Sequence, residues 1–359
     1  MSRLESRFLE KLGDTWETAT PGFCVQAFHR GKKIVDIEVG ETYRYYDLAS
    51  LTKIVFSATA LMMKADEKIF RVSDPVSRWV PWFPEGTPHR LRDLLSHTAG
   101  LTWWYPFYKA VAKKTNARTS PEEAWEVFQS ILKRKVLADV KKSNLKEEKA
   151  VYSDLDLFML GIAMESISGT TLYTVWSEAR DRMDLRDTDF HRDNEPKRAV
   201  AKYAPTEKDS SWRKKVLQGQ VHDENTYALK GVAPHAGLFG TLDDLSQFGL
   251  LLRKSMRGEK TKRFASPETV RLFTKRAIPR TRGDWALGFM MPTKGGSSCG
   301  PMFSLDSVGH TGFTGTSLWY DPRRDLLVTL VSNRVYPTRE NKEFQTLRPL
   351  VHTWIAEEV

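Results

Sequence analysis

Apolar and polar residues alternate twice near the start of the chain, in FCVQAFH (23–29) and KIVDIEV (33–39), with Arg30-Gly31-Lys32 between them. Period-two patterning on either side of a short glycine-containing link predicts a β-hairpin. Strand-like runs return near the C-terminus: FSLDSV (303–308), TSLWYD (316–321) and LLVTLVSN (326–333), the last two joined by the turn Pro322-Arg323-Arg324-Asp325. Between these blocks the spacing becomes helical. SPEEAWEVFQSIL opens with Ser120 as cap and Pro121 in the first turn. DLDLFMLGIAMESISG closes on a stop-type glycine, Gly169, and TLDDLSQFGLLL begins a helix after Thr241. A last helix is expected over roughly 340–357.

Strands at both ends with helices between them predict an α/β (α+β) fold in which one antiparallel sheet is built from both chain termini and flanked by helices. On this reading residues 1–74 and 231–359 form the sheet lobe and residues 75–230 an inserted, mainly helical lobe. An active cleft is expected between them.

The stretch YYDLASLTKIVFSATALMM (45–63) breaks the ordinary pattern: Lys53 stands three residues after Ser50, at the mouth of a run without another charge. On a helix, positions i and i+3 share a face, so hydroxyl and amine can meet where burial disfavours the charged amine. That combination makes a serine nucleophile with a built-in base. The plainer alternative is a helix start in which Asp47 or Ser50 caps and Lys53 snorkels. The same spacing recurs at Ser130–Lys133, Ser143–Lys146 and Ser211–Lys214, but neighbouring charges there predict solvated lysines.

Composition narrows the class. Over 359 residues, 40% are hydrophobic and 11% aromatic, a globular composition. The N-terminal MSRLESRFLEKLGDTWE alternates charge with Leu4, Phe8 and Leu12 and lacks the apolar stretch of a secretory signal. Two cysteines, Cys24 and Cys299, suit a reducing compartment. A cytoplasmic location is expected, with a periplasmic or secreted protein as the alternative, and no apolar run is long enough to cross a membrane. The net charge of +10 is concentrated between Lys109 and Lys149. Without a zinc-finger, RNA-recognition or helix-turn-helix signature this reads as a solvated helical face, and no nucleic-acid partner is expected.

Three stretches carry chemistry in chain order: S50-L-T-K53, Y152-S-D154 and H310-T-G312. Together they resemble the serine β-lactamase and penicillin-binding superfamily, whose triplet is S-x-x-K, then Y-x-N or S-x-N, then K-T-G. LLSHTAGL (94–101), YSDLDLFMLG (152–161), HAGLFGTLDDLSQF (235–248) and GHTGFTGTSLWYDP (309–322) are similar to landmarks of the class C β-lactamase-like branch, which includes esterases, D-aminopeptidases and amide hydrolases. The resemblance implies a β-lactamase/transpeptidase-like fold with no cofactor and no metal. It implies Ser50 as the acylated nucleophile, Lys53 as its proton-accepting partner, Tyr152 as the relay to the leaving group, and His310 and Gly312 on the sheet-edge strand. The backbone N–H groups of Ser50 and Phe313 would form the oxyanion hole, where each donor is worth about 3 kcal/mol.

Two positions depart from the family pattern. His310 replaces a lysine; with a reference pKa of about 6.5 it is mostly neutral at neutral pH, which weakens a substrate-carboxylate anchor and favours esters or neutral amides over β-lactams. Asp154 replaces an asparagine, and its carboxylate favours the Lys53 ammonium while burial opposes it. If the ammonium wins, Tyr152 must handle the proton.

Other candidates are less determined. Trp103, Trp104 and Tyr105 either wall an acyl pocket or belong to the core. His222, Asp223, Asn225 and His235 fall in a region that borders the family's cleft; a metal site is the sharper alternative, without H-E-x-x-H or a Cys/His cluster to support it. His97 reads as a structural hydrogen-bonder. G296-S-S-C-G300 fits the α/β-hydrolase elbow around Ser298, but lacks the strand before and helix after that the elbow needs. The expected function is therefore a serine hydrolase acting through an acyl-enzyme on carboxylic esters or small amides, with a small-molecule ester, amide or peptide as partner. A β-lactamase or D-peptidase acting on cell-wall-type peptides, and a non-catalytic penicillin-binding-like protein, are the alternatives.

Overall fold

The computed structural model describes residues 2–143, 145 and 149–359. The hairpin forms as expected, with β1 at Gly22–His29 and β2 at Lys32–Gly40. Three C-terminal strands, β3 (Val308–Thr311), β4 (Ser317–Asp321) and β5 (Leu326–Ser332), join it in one antiparallel sheet of order β2-β1-β5-β4-β3. The first strand pairs with the last, Val25 opposite Leu330, so the two ends of the chain close the sheet on each other.

Period-two alternation then sorts side chains to two faces. Phe23, Val25 and Ala27 with Val328 and Leu330 meet Phe8 and Leu12 of α1 (Arg3–Leu12) and Phe344, Leu347 and Ile355 of α6 (Glu343–Ala356). Cys24, Phe28, Leu327 and Val331 face the opposite way, into a larger core. That core takes in Ile54 and Leu61 of the Ser50 segment and Phe248 of α5 (Leu242–Met256, capped by Thr241). It continues to Phe128 of α3 (Pro121–Val140) and Phe158 of α4 (Asp154–Ser168). Each such side chain, fully buried, contributes about 1.5–3 kcal/mol. The Ser50 segment is thereby anchored between sheet and helices, and α2 (Thr59–Asp66) continues it inward.

The local signals act as expected at α3, where Ser120 and Glu123 form a reciprocal capping box with Pro121 in the first turn, and at α4, which ends at Gly169 in the left-handed conformation. One strand differs. FSLDSV is mostly turn, and β3 starts only at Val308. The cause is Asp321, whose carboxylate accepts both the N–H and the hydroxyl of Ser304 at 2.7 Å, while the Ser307 N–H closes back on the Ser304 carbonyl at 3.0 Å. No single helix among the described residues is long and apolar enough to cross a membrane.

Candidate active site

Ser50 lies in a 3₁₀ turn, Ala49–Leu51, that runs into a π-helix, Lys53–Ala58, before α-helical winding begins at Thr59. The expected helix therefore opens with two turns that are not α-helical. The tighter turn nearly eclipses residues i and i+3, and Lys53 Nζ donates to Ser50 Oγ at 2.9 Å. Tyr152, just ahead of the α4 cap Ser153, donates its hydroxyl to the same oxygen at 2.8 Å. Ala49 has a φ of 47°, a left-handed conformation that strains a residue with a side chain by about 1–3 kcal/mol. Asp47 holds it there, accepting the Ala49 N–H at 2.8 Å and the His222 N–H at 2.7 Å.

Lys53 is buried, 1% exposed. Burial disfavours its charge, yet the Asp154 carboxylate at 2.8 Å and the neighbouring Tyr152 outweigh that, and its pKa is raised. The ammonium wins. Its contact with Asp154 is a charge pair without an aligned hydrogen bond, so the amine's donors turn instead to Ser50 Oγ and, at 3.1 Å, to the His235 carbonyl. The Tyr152 pKa is raised as well: burial dominates, the Lys53 charge opposes it and Asp154 adds to it. In the resting site both partners of Ser50 therefore carry their protons.

His310 is buried and its pKa is pushed down to about 3, first by burial and then by the Lys53 ammonium. Its Nδ1 lies 2.8 Å from the Thr311 carbonyl, an acceptor, so the neutral ring carries its proton on Nδ1. Nε2 is left as a buried lone pair without a partner. Where the family lysine would donate, this chain presents an acceptor.

Gly312 sets how closely this strand end approaches the nucleophile. A Cβ there would lie 2.0 Å from Thr316 Oγ1 and 2.7 Å from the Leu48 carbonyl, so only glycine fits. The hydroxyls of Thr314 and Thr316 tie the same loop to the carbonyls of Asp47 and Leu48 at 2.7 and 3.1 Å. Phe313 takes no part in the backbone hydrogen bonds of this turn, which run from Gly312 to Thr316 and from Gly315 to Gly312. Phe313 and Ser50 both line the cleft, as oxyanion donors require.

That cleft encloses about 670 Å³ and brings together Ser50, Tyr152, Asp154, His310 and Gly312 with Trp103, Trp104, His222, Asp223 and His235. The histidines on this wall are tied back: His222 to Glu207 at 2.9 Å, His235 to Asp223 at 3.1 Å. Among the described residues no group of three or more His, Cys, Asp or Glu is placed to hold a metal ion. Asn225 departs from expectation and stays off the cleft wall. Its amide is used up by backbone, Oδ1 accepting from Tyr108 N–H at 2.9 Å and Nδ2 donating to the Tyr105 carbonyl at 3.0 Å. Tyr105 is half-exposed against Phe107 and likewise does not line the cleft.

The competing motifs lie elsewhere. Ser130 and Lys133 are exposed on α3, Ser211 and Lys214 are exposed, and Lys146 lies outside the described residues. Ser298 sits in an irregular turn with no helix after it.

Several cleft residues carried no sequence signal, among them Trp285, which stacks on Tyr152 at 5.7 Å, Arg339, which is paired with Glu207 and Glu224, and the arginines Arg334 and Arg348. Arg334 and Arg348 are buried, and no acidic side chain among the described residues pairs with either. Burial lowers the Arg334 pKa, while burial and then the Arg334 charge push that of Arg348 down to about 10. Arg334 lies over the Phe313 ring at 4.7 Å, and Arg348 donates long bonds to the Gly312 and Thr316 carbonyls while its Nε has no partner. An arginine after a strand or within an amphipathic helix is ordinary in sequence; only the fold sets these two beside the catalytic loop.

Comparison with known proteins bears on the family and the fold. The family model described as Beta-lactamase matches residues 2–351. An N-acetylmuramyl-L-alanine amidase of Bacillus subtilis (strain 168) is 30% identical, over 82% of this chain and 69% of the relative. A provisionally named D-alanyl-D-alanine carboxypeptidase of Escherichia coli (strain K12) is 27% identical, over 88% and 76%. Among solved structures, EstCE1, a hydrolase with promiscuous acyltransferase activity, shares the fold with a TM-score of 0.72 at 19% identity, covering 99% of both chains.

Proposed function

Because the chain belongs to the serine β-lactamase family, we propose that it hydrolyses a carboxylic ester or small amide through an acyl-enzyme on Ser50, and that the substrate carries a carboxylate seated at Arg334 and Arg348. With substrate bound, the Tyr152 hydroxyl turns its own proton from Ser50 Oγ toward the leaving group. As Oγ attacks the carbonyl carbon, the Ser50 proton passes to the freed Tyr152 lone pair, and the Tyr152 proton passes to the leaving group as the scissile bond breaks. This relay keeps Tyr152 neutral before and after the step, in keeping with its raised pKa. The Lys53 ammonium cannot accept a proton; it stabilises negative charge developing on Ser50 Oγ from 2.9 Å. The Ser50 and Phe313 N–H groups receive the carbonyl oxyanion. Water then releases the acyl group by the reverse proton path.

The observation that carries the carboxylate requirement is the uncompensated arginine pair. Buried charges without partners are costly and persist where a ligand completes them. His310 has given up the positive charge of the family's third motif, and the arginines restore it one step along the same wall. The test compares a short D-alanyl-D-alanine peptide bearing a free C-terminal carboxylate with its C-terminal amide. A charge-assisted contact worth about 1.5–3 kcal/mol predicts a preference of about tenfold or more in kcat/KM for the free acid. Arg334→Met removes that preference. Equal turnover of acid and amide by the unaltered enzyme contradicts the proposal.

A further inference from the structure

Behind Tyr152 stands a buried histidine that does not itself line the cleft. His97 binds both chain neighbours of Tyr152: its carbonyl accepts the Val151 N–H at 2.9 Å, and its ring Nδ1 faces the Ser153 N–H at 3.2 Å. The ring meets Tyr152 edge-on at 5.1 Å and Trp285 at 4.4 Å, and those two stack with 3° between their planes. His97 itself has a φ of 57°, a left-handed conformation in which histidine and asparagine are tolerated better than most side chains.

The hydrogen bonds assign the protons. A backbone N–H can only donate, so Nδ1 of His97 is an acceptor and the ring proton lies on Nε2. Asp156 Oδ2 also lies 3.0 Å from that Nδ1. A carboxylate there would set one lone pair against another, whereas a carboxylic acid donates its O–H to the ring, the single Nδ1 lone pair being shared with the longer Ser153 contact. The other oxygen, Oδ1, is buried without a partner, which an ionised carboxylate tolerates poorly. Burial, with Asp93 and Asp154 adding to it, raises the Asp156 pKa well above the usual carboxylate range, and burial with Lys53 and His310 lowers that of His97.

We propose that His97 is a positioning residue that fixes the Tyr152 hydroxyl for proton transfer, and that Asp156 serves it as an uncharged carboxylic acid. The proposal rests on the reading of Tyr152 as the leaving-group relay. A relay that is out of place harms poor leaving groups and spares good ones, which general loss of stability does not do. The experiment therefore measures the ratio of kcat/KM for p-nitrophenyl butyrate to that for ethyl butyrate. Loss of a positioned proton donor predicts a ratio raised about 10²-fold in Tyr152→Phe, His97→Gly and Asp156→Ala, against a ratio within about threefold of the parent in His97→Asn and Asp156→Asn. Asparagine at 97 keeps an acceptor near the Nδ1 position and tolerates the left-handed backbone; asparagine at 156 keeps a neutral donor. Should His97→Gly not fold, the two Asp156 variants decide the matter alone. A raised ratio in Tyr152→Phe with none in His97→Gly or Asp156→Ala overturns the clamp, and an Asp156→Asn ratio as high as that of Asp156→Ala overturns the uncharged acid. An unchanged ratio in Tyr152→Phe removes the relay itself and the purpose of the clamp with it.

Discussion

Lys53 Nζ stands 2.9 Å from Ser50 Oγ and 2.8 Å from the Asp154 carboxylate, and the second contact decides what the first can do. With its pKa raised, Lys53 is a cationic donor to the nucleophile at neutral pH. Activity should stay level from near neutrality until the ammonium is lost, above the ordinary lysine value of 10.5. Asp154→Asn leaves burial opposed by Tyr152 without the carboxylate, and the alkaline fall in kcat/KM moves down by about 1–3 pH units. Stability follows the same sign. A raised folded pKa contributes stability that is present below 10.5 and lost as pH climbs through the folded value, so urea midpoints of the parent should decline at high pH more than those of Asp154→Asn.

Gly312→Ala tests how the strand end is seated. Its Cβ would fall 2.0 Å from Thr316 Oγ1 and 2.7 Å from the Leu48 carbonyl, so the loop must withdraw from the Ser50 turn. Displacing one oxyanion donor predicts a loss of about 10²–10³-fold in kcat. Stopped-flow acylation with an aryl ester measures it, and a rate within a few-fold of the parent would show that the loop does not set the donor.

Arg334→Met separates binding from stability. The arginine is 2% exposed, its charge meets no acid, and one guanidinium nitrogen donates to the Asn341 carbonyl at 2.7 Å. Removing an unpaired buried charge is expected to leave stability to chemical denaturation unchanged or raised by about 1 kcal/mol or more, read as a higher midpoint, against the usual loss for a buried substitution. A clear destabilisation would mean that Arg334 is a structural strut.

Acid should weaken the fold before most carboxylates protonate. His310 and His352 are pushed down to about 3 and His191 to about 4, burial leading in each. A lowered folded pKa keeps its full stability above 6.5 and loses it as pH falls toward the folded value, at up to about 1.4 kcal/mol per pH unit for each histidine. Urea melts between pH 7 and 5 check the slope. His191→Phe, which can keep the stack on Phe239 at 4.1 Å, should flatten it.

Much of the fold was legible because it is written in local patterns. The hairpin, the Ser120 and Thr241 caps and the Gly169 stop each depend on a few adjacent residues. FSLDSV misled because its apolar residues alternate like a strand while Ser304 answers to Asp321, a partner seventeen residues away. The core of the site was legible through spacing and motif order at Ser50, Lys53, Tyr152 and His310. What stayed hidden depends on the folded surroundings: whether burial or Asp154 decides the Lys53 charge, the left-handed turn at Ala49 held by Asp47, and Arg334 folded over Phe313. Asn225 sits beside true cleft residues in sequence, yet one turn of helix points its amide at the Tyr105–Tyr108 backbone.

The central claim is that Ser50 is the atom that becomes acylated. Rapid acid quench of the enzyme with p-nitrophenyl butyrate, followed by mass measurement of its peptides, tests it directly. The account predicts a butyryl mass on the peptide holding Ser50, absent from Ser50→Ala and retained longer when turnover is slowed in Tyr152→Phe. A butyryl group on Ser298, or continued turnover by Ser50→Ala, would contradict it.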